Sequence, residues 1–277
     1  MVMWAIVEKE GLANKITDED IQNKWDELYQ EGDFESEEDI DNWYDQSLLG
    51  GRPIPGDVKY KDISGPDGVP DGVIDDYDKT NIGSPMPKFT FGWTNTFRYK
   101  NFDLSVFING SYGNKVYNYL SMKLTHMNSP WTNQLNAVNG RAQLVPINPN
   151  KVYEDGTMWY NDVSNVMVAN PGASIPRATI NDPNDNDRIS DRYIEDGSYI
   201  RLKNITLGYT FPSKLINKWG LDNLRIYANI QNLLTITGYD GYDPEIGAST
   251  SSVNVYGLDN GRYPSPTVYS FGLNVSF

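Results

Sequence analysis

From Lys88 onward the chain repeats one pattern: an apolar side chain at every second position, in run after run. That period puts successive side chains on opposite faces of an extended strand, and a helix cannot bury such a run on one side. Lys88–Tyr99 places Phe89, Phe91, Trp93, Phe97 and Tyr99 on one face and Thr90, Gly92, Thr94, Thr96 and Arg98 on the other, with Asn95 the one break. Asn101–Gly110 sets Phe102, Leu104, Val106 and Ile108 against Asp103, Ser105, Phe107 and Asn109. Tyr199–Phe211, Leu224–Asn232 and Val268–Phe277 repeat the scheme with Ile205-x-Leu207-x-Tyr209, Leu224-x-Ile226-x-Ala228-x-Ile230 and Tyr269-x-Phe271-x-Leu273-x-Val275. The fold class this predicts is all-β.

Two architectures use such strands. A soluble β-sandwich alternates too, but its strands are short and its turns come at even, close intervals. Here the strands are long. Their connections alternate between short ones, at Tyr99-Lys100-Asn101 and Pro212–Gly220, and very long ones, Ser111–Ser198 and Leu233–Thr267. Short turns on one side and long loops on the other mark a transmembrane antiparallel β-barrel of the outer-membrane type. Lipid then takes the place of the sandwich core, and the second face meets a wet lumen, which accounts for its Thr, Ser, Asn, Gly and Gln. If Phe277 ends in the periplasm, counting back strand by strand puts every short turn on that side. Phe97, Tyr99, Phe102, Phe211, Trp219 and Phe277 then gather at one interface, where aromatic rings are favoured.

Charge divides the chain. Residues 1–78 hold 22 acids and 6 bases, whereas residues 79–277 hold 15 acids and 17 bases. We therefore expect two regions. Residues 1–87 form an acidic extracellular loop region, with short helices starting near Asp18 and Ser36. Residues 88–277 form the C-terminal barrel strands, with extracellular loops at about 111–198 and 233–267. The net charge of −14 argues against nucleic-acid binding, which needs a basic surface. The chain has no cysteine, which excludes disulfides and thiolate metal sites, and its single His126 excludes a two-histidine zinc site. The longest apolar run, Met1–Val7, is too short to span a bilayer as a helix.

Several stretches resemble the SusC/RagA family of TonB-dependent outer-membrane transporters. They are Gly56–Asp62 (GDVKYKD), Asp71–Asp78 (DGVIDDYD), Ile82–Pro85 (IGSP), Asp196–Tyr209 (DGSYIRLKNITLGY), Ile226–Thr237 (IYANIQNLLTIT), Tyr239-Asp240-Gly241 and Asp243-Pro244-Glu245. The resemblance implies a large plugged barrel in a Bacteroidetes-like, Gram-negative outer membrane. It also implies energised uptake of glycans or peptides through the TonB complex, and a SusD-like lipoprotein lid as partner. The chain departs from the family in carrying too few strands to close such a barrel and nothing similar to the family's N-terminal plug or TonB box. It reads as the C-terminal part of a transporter, the plug and the rest of the barrel lying elsewhere, with Met1–Val7 as the end of an outward strand.

Three groups of residues invite chemistry. Asp62, Asp67, Asp71, Asp75 and Asp78, spaced with Gly68 and Gly72, suit a Ca²⁺ loop built from closely spaced carboxylates. The same residues also suit an Asp/Gly/Pro turn cluster. Asn204, Arg225, Tyr227, Asn229 and Gln231 have the parity of the lumen face. Trp131, Trp159, Tyr160, Tyr239 and Tyr242 lie in the long loops, where they either meet substrate or lid or brace the loops. Arg201 and Lys203 share the lipid-face parity near the outer end, which suggests contact with anionic lipid heads. His126 has no neighbour in sequence that would make a triad and reads as a loop residue. No catalytic set emerges, so no enzyme is expected. The alternative function is a secreted calcium-dependent carbohydrate-binding β-sandwich module.

Overall fold

The computed structural model describes residues 54–154, 156–180, 182–245 and 256–277, together with the two strands Met3–Ile6 and Glu8–Leu12. The short helices expected near Asp18 and Ser36 lie outside the described residues. In chain order the elements are β1 (Met3–Ile6), β2 (Glu8–Leu12), β3 (Val58–Tyr60), β4 (Lys79–Gly83), β5 (Phe89–Tyr99), β6 (Phe102–Tyr112), β7 (Lys115–Asn118) and α1 (Tyr119–Thr125). There follow β8 (Leu144–Pro146), β9 (Val166–Val168), β10 (Ile194–Asp196), β11 (Tyr199–Thr210), α2 (Ser213–Ile216), β12 (Asn223–Thr237), β13 (Leu258–Asp259) and β14 (Val268–Ser276). They form two compact units. A wall unit comprises Gly83–Asn118 and Glu195–Phe277, and a loop unit comprises Val2–Ile82 and Tyr119–Ile194.

The wall unit is built on a five-stranded sheet in the order β14-β12-β11-β6-β5. Every neighbouring pair is antiparallel. All five alternating runs of the sequence become these strands, and each is hydrogen-bonded to the next in chain order. β5 turns into β6 through Lys100, whose φ of 53° supplies the left-handed residue that a tight hairpin needs. β11 reaches β12 through α2 and a 3₁₀ turn that ends on Gly220 at φ 71°. The long connections leave the opposite ends of β6 and β12.

One face of this sheet is apolar and open. Phe271 is 84% exposed, Leu273 61%, Trp93 55% and Leu207 50%. A β-sandwich would bury this face under a second sheet about 10 Å away. The strand-rich antiparallel sheet instead has the form of a barrel wall. Among the described residues no strand pairs with the free edges of β5 and β14. A second, small sheet in the wall unit runs β10-β7-β13, with β13 parallel to β7.

β11 departs from simple alternation at one point. Leu202 pairs with Ile108 and Asn204 with Phe107, so Lys203 is an extra residue against β6, whereas Leu202 pairs with Leu234 and Asn204 with Gln231, so the extra residue against that neighbour lies on β12, where Asn232 has a φ of 52°. One extra residue reverses the parity of everything beyond it. Ile205, Leu207 and Tyr209 share the apolar face on one side of the bulge, and Ile200 and Leu202 share it on the other.

Among its described residues the loop unit has little regular structure. It contains the two-stranded sheets β1-β4, β2-β3 and β8-β9. Val58 and Tyr60 form a small buried cluster against which Ile74 and Ala173 pack. Met122, Val166, Ile175 and Tyr193 are buried in the same unit, beside the polar Asp57, Asp78, Asn184 and Asn186.

Candidate functional site

The sequence expectation for the lumen face rests on five residues, and the structure places all five on β11 and β12. The Asn229 side-chain amide donates to Asn204 Oδ1 at 2.8 Å and to Thr206 Oγ1 at 2.7 Å, which ties β11 to β12. Arg225 donates through Nε to Asp103 Oδ1 at 3.0 Å and through a terminal nitrogen to Oδ2 at 2.6 Å. This two-pronged pair joins β12 to β6 across the strand between them. It crosses at Gly208, where a Cβ would collide with both the guanidinium and the carboxylate. Tyr227 lies over Gly272 of β14 in the same manner, with no room for a Cβ beneath its ring. The Arg225 guanidinium carbon stands 5.1 Å from the centre of that ring. Asp103, Arg225 and Tyr227 thus form a belt over four strands, seated on two glycines. Gln231 is exposed at the end of this row.

The bulge at Lys203 overturns the expectation that Arg201 meets lipid heads. Because parity reverses there, Arg201 turns off the apolar face and is only 2% exposed. It pairs with Glu245 at 2.7 Å and with Asp243, and donates to Thr235 Oγ1 at 2.9 Å. Lys203 also binds Glu245, at 2.7 Å. Burial disfavours the Asp243 carboxylate, but the Ser265 amide and the Arg201 guanidinium outweigh it and hold the group below the usual carboxylate range. The Asp196–Tyr209 and Asp243-Pro244-Glu245 stretches singled out by resemblance are therefore stapled together.

The Asp-rich loop spends its carboxylates on backbone amides. Asp78 is fully buried; its Oδ1 accepts from the Ile63 and Ser64 amides at 2.7 and 3.2 Å, and its Oδ2 from Asp75 at 2.8 Å. Asp75 Oδ1 accepts from the Tyr77 amide at 2.7 Å, completing a capping box on a 3₁₀ turn. Asp62 Oδ2 takes the Gly72 amide at 2.6 Å, and Asp71 Oδ1 takes Val73 at 3.0 Å. Asp67 is exposed at the turn made by Gly68 at φ 76°. Burial, with Asp78 and Asp71 nearby, pushes the Asp62 carboxyl up. Among the described residues these aspartates do not bring three ligand atoms together.

The loop aromatics divide. Tyr239 is 5% exposed and donates to Asp259 Oδ2 at 2.5 Å, so it braces its loop. Trp159 and Tyr160 stack edge to face, their centres 5.7 Å apart. Trp131, 93% exposed, and Tyr242, 64% exposed, keep open ring faces that a ligand or partner can reach.

His126 lies in a loop, as the sequence reading has it, but the structure gives it partners that the sequence does not show. It follows α1, is only 9% exposed, and each ring nitrogen faces a carboxylate: Nε2 lies 2.7 Å from Asp182 Oδ2 and Nδ1 3.1 Å from Asp187 Oδ2. Its three residues are the only such carboxylate–histidine cluster among the described residues. A carboxylate hydrogen-bonded at Nε2 and a second within ion-pair distance of Nδ1 suit the positively charged imidazolium. Asp182 also accepts from the backbone and side-chain amides of Asn186, both at 2.7 Å. Asn186 in turn donates to Asp57 at 3.0 Å, and Asp57 forms a two-pronged pair with Arg177 at 2.8 and 3.2 Å. No local sequence signal marks this network, because its three segments are joined over 56 to 129 positions.

An antiparallel sheet with an open apolar face, a belted polar face and strand connections alternating between short and long defines the wall of a large membrane-type β-barrel. Comparison with known proteins agrees. The chain is 34% identical to TonB-dependent receptor P3 of Formosa agariphila over 83% of its own length and 20% of the relative's. It is 33% identical to TonB-dependent receptor P26 of the same organism, over 89% of this chain and 22% of that one. It is 28% identical to TonB-dependent receptor SusC of Bacteroides thetaiotaomicron, over 74% and 17%. Among solved structures, the RagAB peptide transporter superposes on the whole chain and on 22% of its own, with a TM-score of 0.62 at 18% identity. No family model matches. The chain belongs to the SusC/RagA family of TonB-dependent receptors, and it spans about a fifth of the length of the curated relatives it matches.

Proposed function

We propose that this chain supplies five consecutive strands of the barrel wall of an outer-membrane importer, together with long loops on the extracellular side. The observation that carries the reading is the sheet itself. Among the described residues nothing covers its apolar face, with Phe271 and Leu273 mostly exposed, and its opposite face holds the Asp103–Arg225–Tyr227 belt. Only a hydrocarbon solvent makes the first face favourable, and only water suits the second. In this reading a plug and the remaining barrel strands complete the wall, the TonB complex energises transport through them, and a SusD-like lipoprotein covers the extracellular opening. The cargo is an oligosaccharide or a peptide, met by exposed loop rings such as Trp131 and Tyr242. SusC among the relatives and the peptide transporter among the structural neighbours support that choice of cargo class.

The test is fractionation of the protein that carries this chain. It should sediment with outer membranes, need detergent for extraction, and migrate differently on gels with and without boiling. Recovery in the soluble periplasmic fraction would refute the barrel reading. Replacing Trp131 and Tyr242 with Ala should weaken cargo binding and leave the heat-dependent mobility intact.

A further inference from the structure

The buried network around His126 is built from more negative than permanent positive charge. Asp57 meets the guanidinium of Arg177, whereas Asp182 and Asp187 both face the ring of His126. Buried carboxylates are costly without a cation beside them, and a cation held between Asp182 and Asp187 offsets that cost. The ring of His126 is the group in place to supply it. The groups facing the ring are Asp182 and Asp187. Lys123 of α1 acts on Asp187 from the helix side, and Tyr193 and Arg192 stand beyond Asp187. Behind Asp182 the chain of contacts runs through Asn186 to Asp57 and Arg177.

The network holds three segments distant in sequence. Asn186 Oδ1 accepts from the Val58 amide at 2.8 Å, and the Asn184 side-chain amide donates to the Val58 carbonyl at 3.0 Å. Asp182 fixes Asn186, and His126 engages Asp182 from the end of α1. We propose that His126 in its charged form is a proton-operated latch, closing residues 54–60, 119–126 and 182–187 into one unit and releasing them when the ring loses its proton.

The direction of the pH response follows from linkage. Burial alone would lower the His126 pKa, but the hydrogen bonds to Asp182 and Asp187 outweigh it and raise the value to about 9. A group whose pKa is raised on folding stabilises fully below its unfolded value, near 6.5, and loses that contribution as pH rises through its folded value. The latch is closed at neutral and acidic pH and opens in mild alkali.

Hydrogen exchange, read by mass spectrometry on the detergent-solubilised protein carrying this chain, tests it. The reporters are peptides covering 54–60 and 182–190, which contain the Val58 and Asn186 amides, followed as protection factors from pH 6 to pH 10. Protection should be steady below about pH 6.5 and fall on the order of a hundredfold through about pH 9. Peptides of β11 and β12 should show no such step. His126→Gln should remove the step and leave low protection throughout. Asp187→Asn, at a half-buried position, should keep the step and move its midpoint toward 6.5, which preserves the test if the histidine variant fails to fold. A flat wild-type profile, a step that survives in His126→Gln, or an unmoved midpoint in Asp187→Asn overturns the proposal. So does protection that Zn²⁺ restores at pH 10 and EDTA removes at pH 7, because the cluster would then hold a metal in place of a proton.

Discussion

The wall and the loop unit satisfy the same rule, that a buried polar group must have a partner, from opposite starting points. In the wall the backbone pairs strand to strand, and the side chains are sorted by parity. Phe271 and Leu273 stay exposed, and the ion pair of Asp103 and Arg225 stands half-buried on the other face. Among the described residues of the loop unit the strands are short, and Asp57, Asp78, Asn184 and Asn186 are almost fully buried. The wall depends on its surroundings, whereas the loop unit is held by its own polar contacts. A substitution that ruins one should spare the other.

The largest effect expected is on the wall. Leu207→Arg places a charge in the middle of the apolar face of its central strand. A cationic residue at the midplane of a lipid-facing barrel strand costs about 2–4 kcal/mol. The protein should lose its heat-dependent gel mobility and fail to reach the outer membrane, while Thr206→Arg, one residue away on the polar face, should assemble. Equal behaviour of the two variants would break the distinction between faces. Next comes Asp57→Ala, which leaves Arg177 buried without its carboxylate. Removing one partner of a buried pair costs about 3–5 kcal/mol. Exchange of the Val58 amide should accelerate while β11 and β12 remain protected, and the double variant Asp57→Ala, Arg177→Met should recover much of the loss.

The same contrast explains what the sequence reveals. Phe89-x-Phe91-x-Trp93 and its four counterparts declare their strands because parity is a local property that repeats. The hairpin at Lys100 and the turn to Gly220 follow from their shortness. The bulge at Lys203 cannot be seen, since the apolar residues on either side of it fit an unbroken count almost as well. That one residue misdirected the reading of Arg201. The loop unit hides more. His126 meets Asp182 only through folding, and the regular Asp spacing of Asp62–Asp78 serves amide capping as readily as it would serve a cation. Asp71 and Asp75 each accept an amide two residues on, as an Asx turn requires, and Asp78 caps the 3₁₀ turn from three residues on.

A smaller effect tests how the polar belt is seated. Gly208→Val puts a branched side chain where Arg225 crosses to Asp103. Overpacking of this kind costs about 1–3 kcal/mol, and the variant should unfold at lower denaturant while still inserting. Gly140→Ala is the control, because a Cβ there meets nothing within 4 Å. If both variants behave alike, the glycine at 208 is not making room for the ion pair.

The smallest effect is in the loop unit and is set by pH. Asp162 accepts from Lys151 Nζ at 2.6 Å, from the Tyr153 hydroxyl at 2.7 Å and from Ser164 Oγ at 2.6 Å. Burial works against its charge, but these donors prevail and bring its pKa down to about 2. A group depressed on folding stabilises above its unfolded value, near 3.8, and that contribution disappears as pH falls through about 2. The pair with Lys151 is partly open to water, so the contribution should be about 1 kcal/mol or less. Asp162→Asn should therefore raise exchange of the Ser164 and Asn165 amides at pH 6 by a small factor and have almost no effect at pH 2. His126→Gln should do the reverse in alkali, weakening the unit at neutral pH and leaving it unchanged at pH 10. Two sites of one unit would then report opposite ends of the pH scale, while the wall, whose order depends on strand pairing and lipid, stays indifferent to both.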